Sequence, residues 1–117
     1  MIKDIIAPMN SKEQFEQAKQ VESISVFVFS AEWCPDCRFI EPFLPQLIEK
    51  YASYHFYYVD RDAWMEFAQE QMVMGIPSFI AVGNGKELGR FVSGLRKTQQ
   101  EIDAFLASLN EDIEQKG

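Results

Sequence analysis

Ile24-Ser25-Val26-Phe27-Val28-Phe29 is apolar at nearly every position and shows no polar-apolar alternation. A strand of that kind hides both faces, so it belongs in the centre of a sheet flanked by helices. It runs into Trp33-Cys34-Pro35-Asp36-Cys37, which holds the only two cysteines of the 117 residues. Beyond it, Phe39, Ile40, Phe43, Leu44, Leu47, Ile48 and Tyr51 recur at three- and four-residue spacing, the buried stripe of a helix. Pro42 and Pro45 lie inside that helix and delete two of its hydrogen bonds, which predicts a kink after the first turn. A Cys-x-x-Cys opening a helix places both sulfurs near its N-terminus. There the free N–H groups and the positive dipole end favour a thiolate, the form that attacks disulfides. The second sulfur sits one turn along, within reach of the first. The pattern is a two-electron redox switch.

The rest of the chain supplies the sheet and its cover. Met1 to Ala7 reads as a short edge strand ended by Pro8. Ser11-x-x-Gln14 is a capping-box pattern before a short helix with Phe15, Ala18 and Val21 inward. Tyr54 to Val59 is the next strand, and strand-helix-strand implies a parallel pair with a right-handed crossover. Asp60-Arg61-Asp62 opens a third helix with Trp64, Phe67, Ala68 and Met72 inward. Gly75-Ile76-Pro77 breaks it, and Ser78 to Val82 is again a buried strand. Gly83-Asn84-Gly85-Lys86 predicts a type I′ hairpin, returning through Leu88 to Val92. Gly94 supplies a turn, and Thr98-x-x-Glu101 is a second capping box, opening a helix with Ile102, Phe105, Leu106, Leu109 and Ile113 inward. A single α/β domain over 1–110 is expected, with a polar tail over 111–117 that frays.

Apolar content of 47% with 14% aromatic residues fits a packed globule, and a net charge of −7 argues against a nucleic-acid or anionic-membrane partner. No apolar run reaches membrane-spanning length, and the N-terminus is too short and charged for a secretory signal. A cytoplasmic location is therefore expected, where a lone Cys-x-x-Cys is more often catalytic than structural. A structural zinc is disfavoured, because the chain offers two cysteines and a single histidine, His55. No metal or prosthetic group is expected.

The order β-α-β-α-β-α-β-β-α resembles the thioredoxin family over essentially the whole chain. The matching residues are Ala31-Glu32-Trp33-Cys34, Cys37, Pro42, Gly75-Ile76-Pro77, Asn84-Gly85 and Gly94. The resemblance implies a thioredoxin fold, with a central five-stranded mixed sheet in the order 1-3-2-4-5 flanked by four helices. It also implies a cis bond before Pro77, which would set the Ile76 backbone beside Cys34 to pair with an extended substrate. By the same resemblance Cys34 is the exposed nucleophile and Cys37 the shielded resolver. Pro35-Asp36 replaces the family's usual Gly-Pro, a variant similar to the fourteen-kilodalton thioredoxin-related proteins at that motif. The family's buried acid falls on Val28 and its companion lysine near Phe56, so the usual proton-handling pair is absent.

Trp33 before the reactive cysteine suits a docking platform, together with Ile76 and Pro77. Pro35 fixes φ at the helix start and withholds a donor from the Cys34 sulfur. Asp36 either serves the helix dipole or tunes the thiols. Met74 could line the docking groove, and Met72 reads as a core gap-filler. The expected activity is that of a thiol–disulfide oxidoreductase acting on protein or small-molecule disulfides, as a monomer. A thioredoxin reductase or a low-molecular-weight thiol system would reset it. Two alternatives remain: glutaredoxin-like removal of low-molecular-weight thiols from proteins, and a non-enzymatic redox-sensing binding module.

Overall fold

The computed structural model describes residues 1–116, with side chains for 1–110. The polar tail expected over 111–117 and the inward Ile113 fall on residues whose side chains lie outside that description. Among the described residues the order is α1 (Ile2–Ile5), β1 (Ala7–Pro8), α2 (Lys12–Gln20), β2 (Ser25–Ser30), α3 (Pro35–Ile40), α4 (Leu44–Lys50), β3 (His55–Asp60), α5 (Met65–Glu70), β4 (Ser78–Gly83), β5 (Lys86–Phe91) and α6 (Gln99–Lys116). The five strands form one mixed sheet in the order β1-β3-β2-β4-β5, the topology of the thioredoxin fold. β1 and β2 run parallel to β3, while β4 is antiparallel to both β2 and β5.

All six residues of β2 are buried, as a strand covered on both faces must be. Side-chain alternation divides them. Phe27 and Phe29 face α2 and α5, where Phe15 meets Phe27 edge-on at 4.9 Å and Phe67 stacks on Phe29 at 5.9 Å. Val26, Val28 and Ser30 point to the other face, where α3, α4 and α6 pack. The register sets Val28 beside Tyr58 of β3 and Phe79 of β4 on that second face. Tyr51 at the end of α4 donates to the Asp103 carboxylate, and Tyr54 donates to the Leu106 carbonyl at 2.7 Å, fastening α4 and β3 to α6.

Local chemistry explains most boundaries. Ser11 Oγ accepts from Gln14 N–H at 3.2 Å, while the Gln14 side chain reaches back to Asn10 N–H at 2.9 Å, one residue earlier than a standard box. Thr98 and Glu101 form the full reciprocal pair, Glu101 N–H to Thr98 Oγ1 at 3.2 Å and Thr98 N–H to Glu101 Oε1 at 3.0 Å. Asn84 (φ 53°) and Gly85 (φ 84°) make the two-residue hairpin turn.

Four expectations are corrected. The N-terminus is a helical turn rather than a strand, because Ile2 and Ile6 are both buried at four-residue spacing, and strand pairing is confined to Ala7–Pro8. The helix after the cysteines is broken rather than kinked, since neither Pro42 nor Pro45 has an N–H to give. Glu41 and Phe43 bond back only three residues, to Arg38 and Ile40, at 3.3 Å each. Helical segments therefore number six among the described residues, not four. Met72, with φ 58° just past α5, and Val21, just past α2, are exposed because each helix ends before its last apolar residue turns inward.

Candidate active site

β2 delivers the chain to one end of the sheet, and the turn Ala31-Glu32-Trp33 swings it into α3. Cys34 is the N-cap: its backbone is extended, its N–H bonds Ala31 O at 3.2 Å, and its carbonyl accepts from Arg38 N–H at 3.1 Å. Pro35 takes the first helical position, where a missing N–H removes nothing. Both cysteines are free thiols.

Their environments differ less in exposure than the sequence suggests and more in chemistry. Cys34, expected to be exposed, keeps 5% of its surface, against 1% for Cys37. The cover over Cys34 is the loop around the cis Ile76–Pro77 bond, whose Ile76 carbonyl lies 3.8 Å from Cys34 Sγ and accepts from it. Cys37 sits beneath α3 on the second face of the sheet. Burial pushes its thiol pKa up, opposed by the Ser30 hydroxyl and the Ala31 backbone; neighbouring Cys34 adds to the rise. Tyr58, across from Val28, also rises to about 12, from burial first and then the negative groups around it. Val28, where the resemblance expects an acid to be missing, is fully buried beside Tyr58 and Phe79.

The rim around the dithiol is built from paired charges and exposed apolar side chains. Trp33 is 53% exposed yet held in place: its indole N–H donates to Asp62 Oδ2 at 2.6 Å, and the Arg61 guanidinium lies 5.5 Å from the ring centre. That indole N–H, and then Arg61, hold the Asp62 carboxyl below its usual range. Asp36 does not face the cysteines unopposed. Arg96 Nε bonds its Oδ1 at 2.9 Å, and the same guanidinium lies 4.4 Å from the centre of the Phe39 ring. Phe39, assigned by spacing to the buried stripe, is 40% exposed at this contact. Met74 and Leu95 are the most exposed of the large apolar residues. They stand on two loops that touch at Gly75, where a Cβ would come within 2.5 Å of Ser93 O.

Sequence reasoning missed Ser30, Asp62, Arg96 and Lys97. The first three carry no local signal, because each meets the site through tertiary packing. Lys97 does carry one: it occupies the position before the Thr98 cap, which normally holds an apolar residue that packs on the first inward residue of the helix, here Ile102.

A dithiol at a helix start, beside the backbone carbonyl of a cis-proline loop on a covered mixed sheet, defines a thiol–disulfide oxidoreductase. The family model for thioredoxin matches residues 6–108. The chain is 37% identical over 87 residues to a thioredoxin H-type of Fagopyrum esculentum, covering 74% of each chain. It is 34% identical over 111 residues to a thioredoxin of Callithrix jacchus, covering 93% of this chain and 100% of that one. The crystal structure of thioredoxin from Trypanosoma brucei brucei is similar at a TM-score of 0.75 and 25% identity, covering 94% of this chain and 91% of that chain. The chain belongs to the thioredoxin family.

Proposed function

We propose that this protein reduces protein disulfides as a monomer in the cytoplasm, with Cys34 as nucleophile, Cys37 as resolving cysteine and a thioredoxin reductase as electron donor. The Cys34 thiolate attacks one sulfur of the substrate disulfide, forming a mixed disulfide and expelling the other substrate sulfur as a thiolate. Cys37, as its thiolate, then attacks Cys34 Sγ. The Cys34–Cys37 bond forms, the Cys34–substrate bond breaks, and the second substrate sulfur leaves with the electron pair and takes a proton from water. The two sulfurs carry both electrons, so the reaction calls for no metal or prosthetic group.

The observation that carries this reading is the asymmetry of the pair. Cys34 caps the helix start next in sequence to the exposed Trp33, with its Sγ at the Ile76 carbonyl, whereas Cys37 lies a turn further in, where burial pushes its thiol up. Ile76 and Pro77 offer backbone to an extended substrate, and Trp33 offers it an apolar wall. A cytoplasmic setting fits a pair that works as a dithiol. The test is a coupled assay with two donors, thioredoxin reductase and a glutathione system, against a protein disulfide and a small mixed disulfide. Turnover of the protein disulfide with the reductase is expected. Preference for the glutathione arm favours a glutaredoxin-like role, and absence of turnover in every arm favours a binding module. Cys34→Ser should abolish turnover, and Cys37→Ser should trap substrate as a mixed disulfide.

A further inference from the structure

Among the described residues Lys97 is the one lysine that is fully buried, and nothing in the proposed chemistry has used it. Its Nζ donates to the carbonyls of Ser93 at 3.1 Å and Leu95 at 3.3 Å and lies 5.2 Å from the centre of the Phe91 ring. Among the described residues no carboxylate stands within ion-pair distance of it. A buried cation without a counter-ion is costly, and an apolar side chain would fill a staple position before α6 better. Where a sequence breaks a local rule that way, the gain lies elsewhere.

The surroundings show where. The loop that wraps the ammonium, Ser93 to Lys97, packs on Gly75 next to Ile76, whose carbonyl meets Cys34. From the same loop Arg96 reaches Asp36, between the two cysteines. The loop that carries Lys97 therefore lies against the dithiol, touching it at the Ile76 carbonyl through Gly75 and at Asp36 through Arg96. We infer that Lys97 is a positioning residue whose buried positive charge stabilises the Cys37 thiolate during the resolving step. The inference rests on the reading of Cys37 as resolver.

Electrostatics agree with the placement. Burial pushes the Lys97 ammonium down, and the charges that act to hold its proton are, in order, Cys37, Asp36, Glu101 and Cys34. Cys37 in turn has Cys34 and the Ser30 hydroxyl beside it, with Tyr58 from β3 and Lys97 from this loop within electrostatic reach. Of these, Lys97 alone is cationic, and Arg96 is already matched to Asp36. A positive charge favours the thiolate over the thiol, most strongly where water is excluded. Lys97 gives up no proton in the step; the Cys37 proton goes to solvent.

The test is single-turnover reduction of a protein disulfide, with the decay of the mixed disulfide followed from pH 6 to 10. Lys97→Met keeps the length and gives the staple position an apolar side chain, so it should fold. Its decay should slow by about tenfold at pH 7, with the pH-rate midpoint about one unit higher, the size expected for loss of one charge in a partly desolvated site. Cys34 alkylation should change far less. Lys97→Arg should restore the midpoint. An unshifted midpoint in Lys97→Met overturns the inference, as does equal slowing in Lys97→Met and Lys97→Arg, which would mark the lysine as a loop tie only. If Cys37→Ser fails to trap the mixed disulfide, the resolver assignment itself fails first, so the two failures are distinct.

Discussion

Asp36 is the residue that most sets this motif apart from Gly-Pro, and its pairing with Arg96 changes what it should do. Taken alone, a carboxylate two residues from Cys34 repels the thiolate. For charges roughly 7 Å apart at an effective dielectric of ~40, Coulomb's law gives on the order of 1 kcal/mol, or about fivefold in thiolate population. A thiolate that is easier to form is also a weaker nucleophile, with roughly half of the logarithmic gain returned, so rates should move about two- to threefold. The Arg96 guanidinium, 2.9 Å from Asp36 Oδ1, should cancel most of this in the parent protein. The three variants are then ordered by net charge. Asp36→Asn leaves Arg96 unmatched and should speed alkylation of Cys34 about two- to threefold at pH 6.5 and low salt. Arg96→Met leaves Asp36 unmatched and should slow it by a similar factor, while the double variant returns close to the parent. Stability should hardly register any of them, because the two side chains are 53% and 30% exposed and such pairs are worth ~0.2–1 kcal/mol at most. Iodoacetamide kinetics at low ionic strength and again near 0.5 M salt provide the measurement, with the differences shrinking as salt rises. If Arg96→Met is unchanged or faster, Asp36 serves only the helix.

Three further outcomes follow from the packing. Gly75→Ala should lower the unfolding free energy by about 1–3 kcal/mol and slow turnover, because its Cβ would lie 2.5 Å from Ser93 O and 2.8 Å from Gly94 Cα; a variant as stable as the parent would show that the two loops separate freely. Val28→Asp places an acid in a fully buried strand, where its folded pKa must rise. The folded mutant then holds a proton that the unfolded chain has lost, so its stability deficit should grow from pH 5 to pH 8, and a pH-independent deficit would refute the burial argument. Asp62, held below the usual carboxylate range, should keep the Trp33 indole anchored as pH falls to ~4 and release it only below that, so Trp33 fluorescence in a Trp64→Phe background should stay level over that span; an inflection near pH 5 would contradict it.

What could be read from the sequence was whatever rests on local rules. The two-sided apolar run of β2, the Thr98–Glu101 box and the Asn84-Gly85 turn each have one low-energy solution, and the structure adopts it. The first residues were misread because four residues with apolar side chains at both alternate and helical spacings do not discriminate a turn of helix from a strand; burial of Ile2 and Ile6 decides it. The cysteines and the cis Ile76–Pro77 loop were visible as motifs. Their electrostatic setting was not, because Arg96 lies sixty residues from Asp36 in sequence and Asp62 lies twenty-nine from Trp33. Only Lys97 left a trace, a charged side chain where a staple calls for an apolar one.

The break at Glu41-Pro42-Phe43 has a consequence for how the protein breathes. α3 has six residues and is joined to α4 by two long bonds that each reach back three residues. In amide hydrogen-exchange terms it is a separate opening unit, able to unwind while α4 stays closed under its ties to α6. The same opening is the simplest route by which water reaches the sealed thiol beneath it. Solvent exchange at Cys37 should therefore keep pace with the amides of α3 and run ahead of those of α4, giving this half-turn of missing bonds a say in how fast the buried proton can leave.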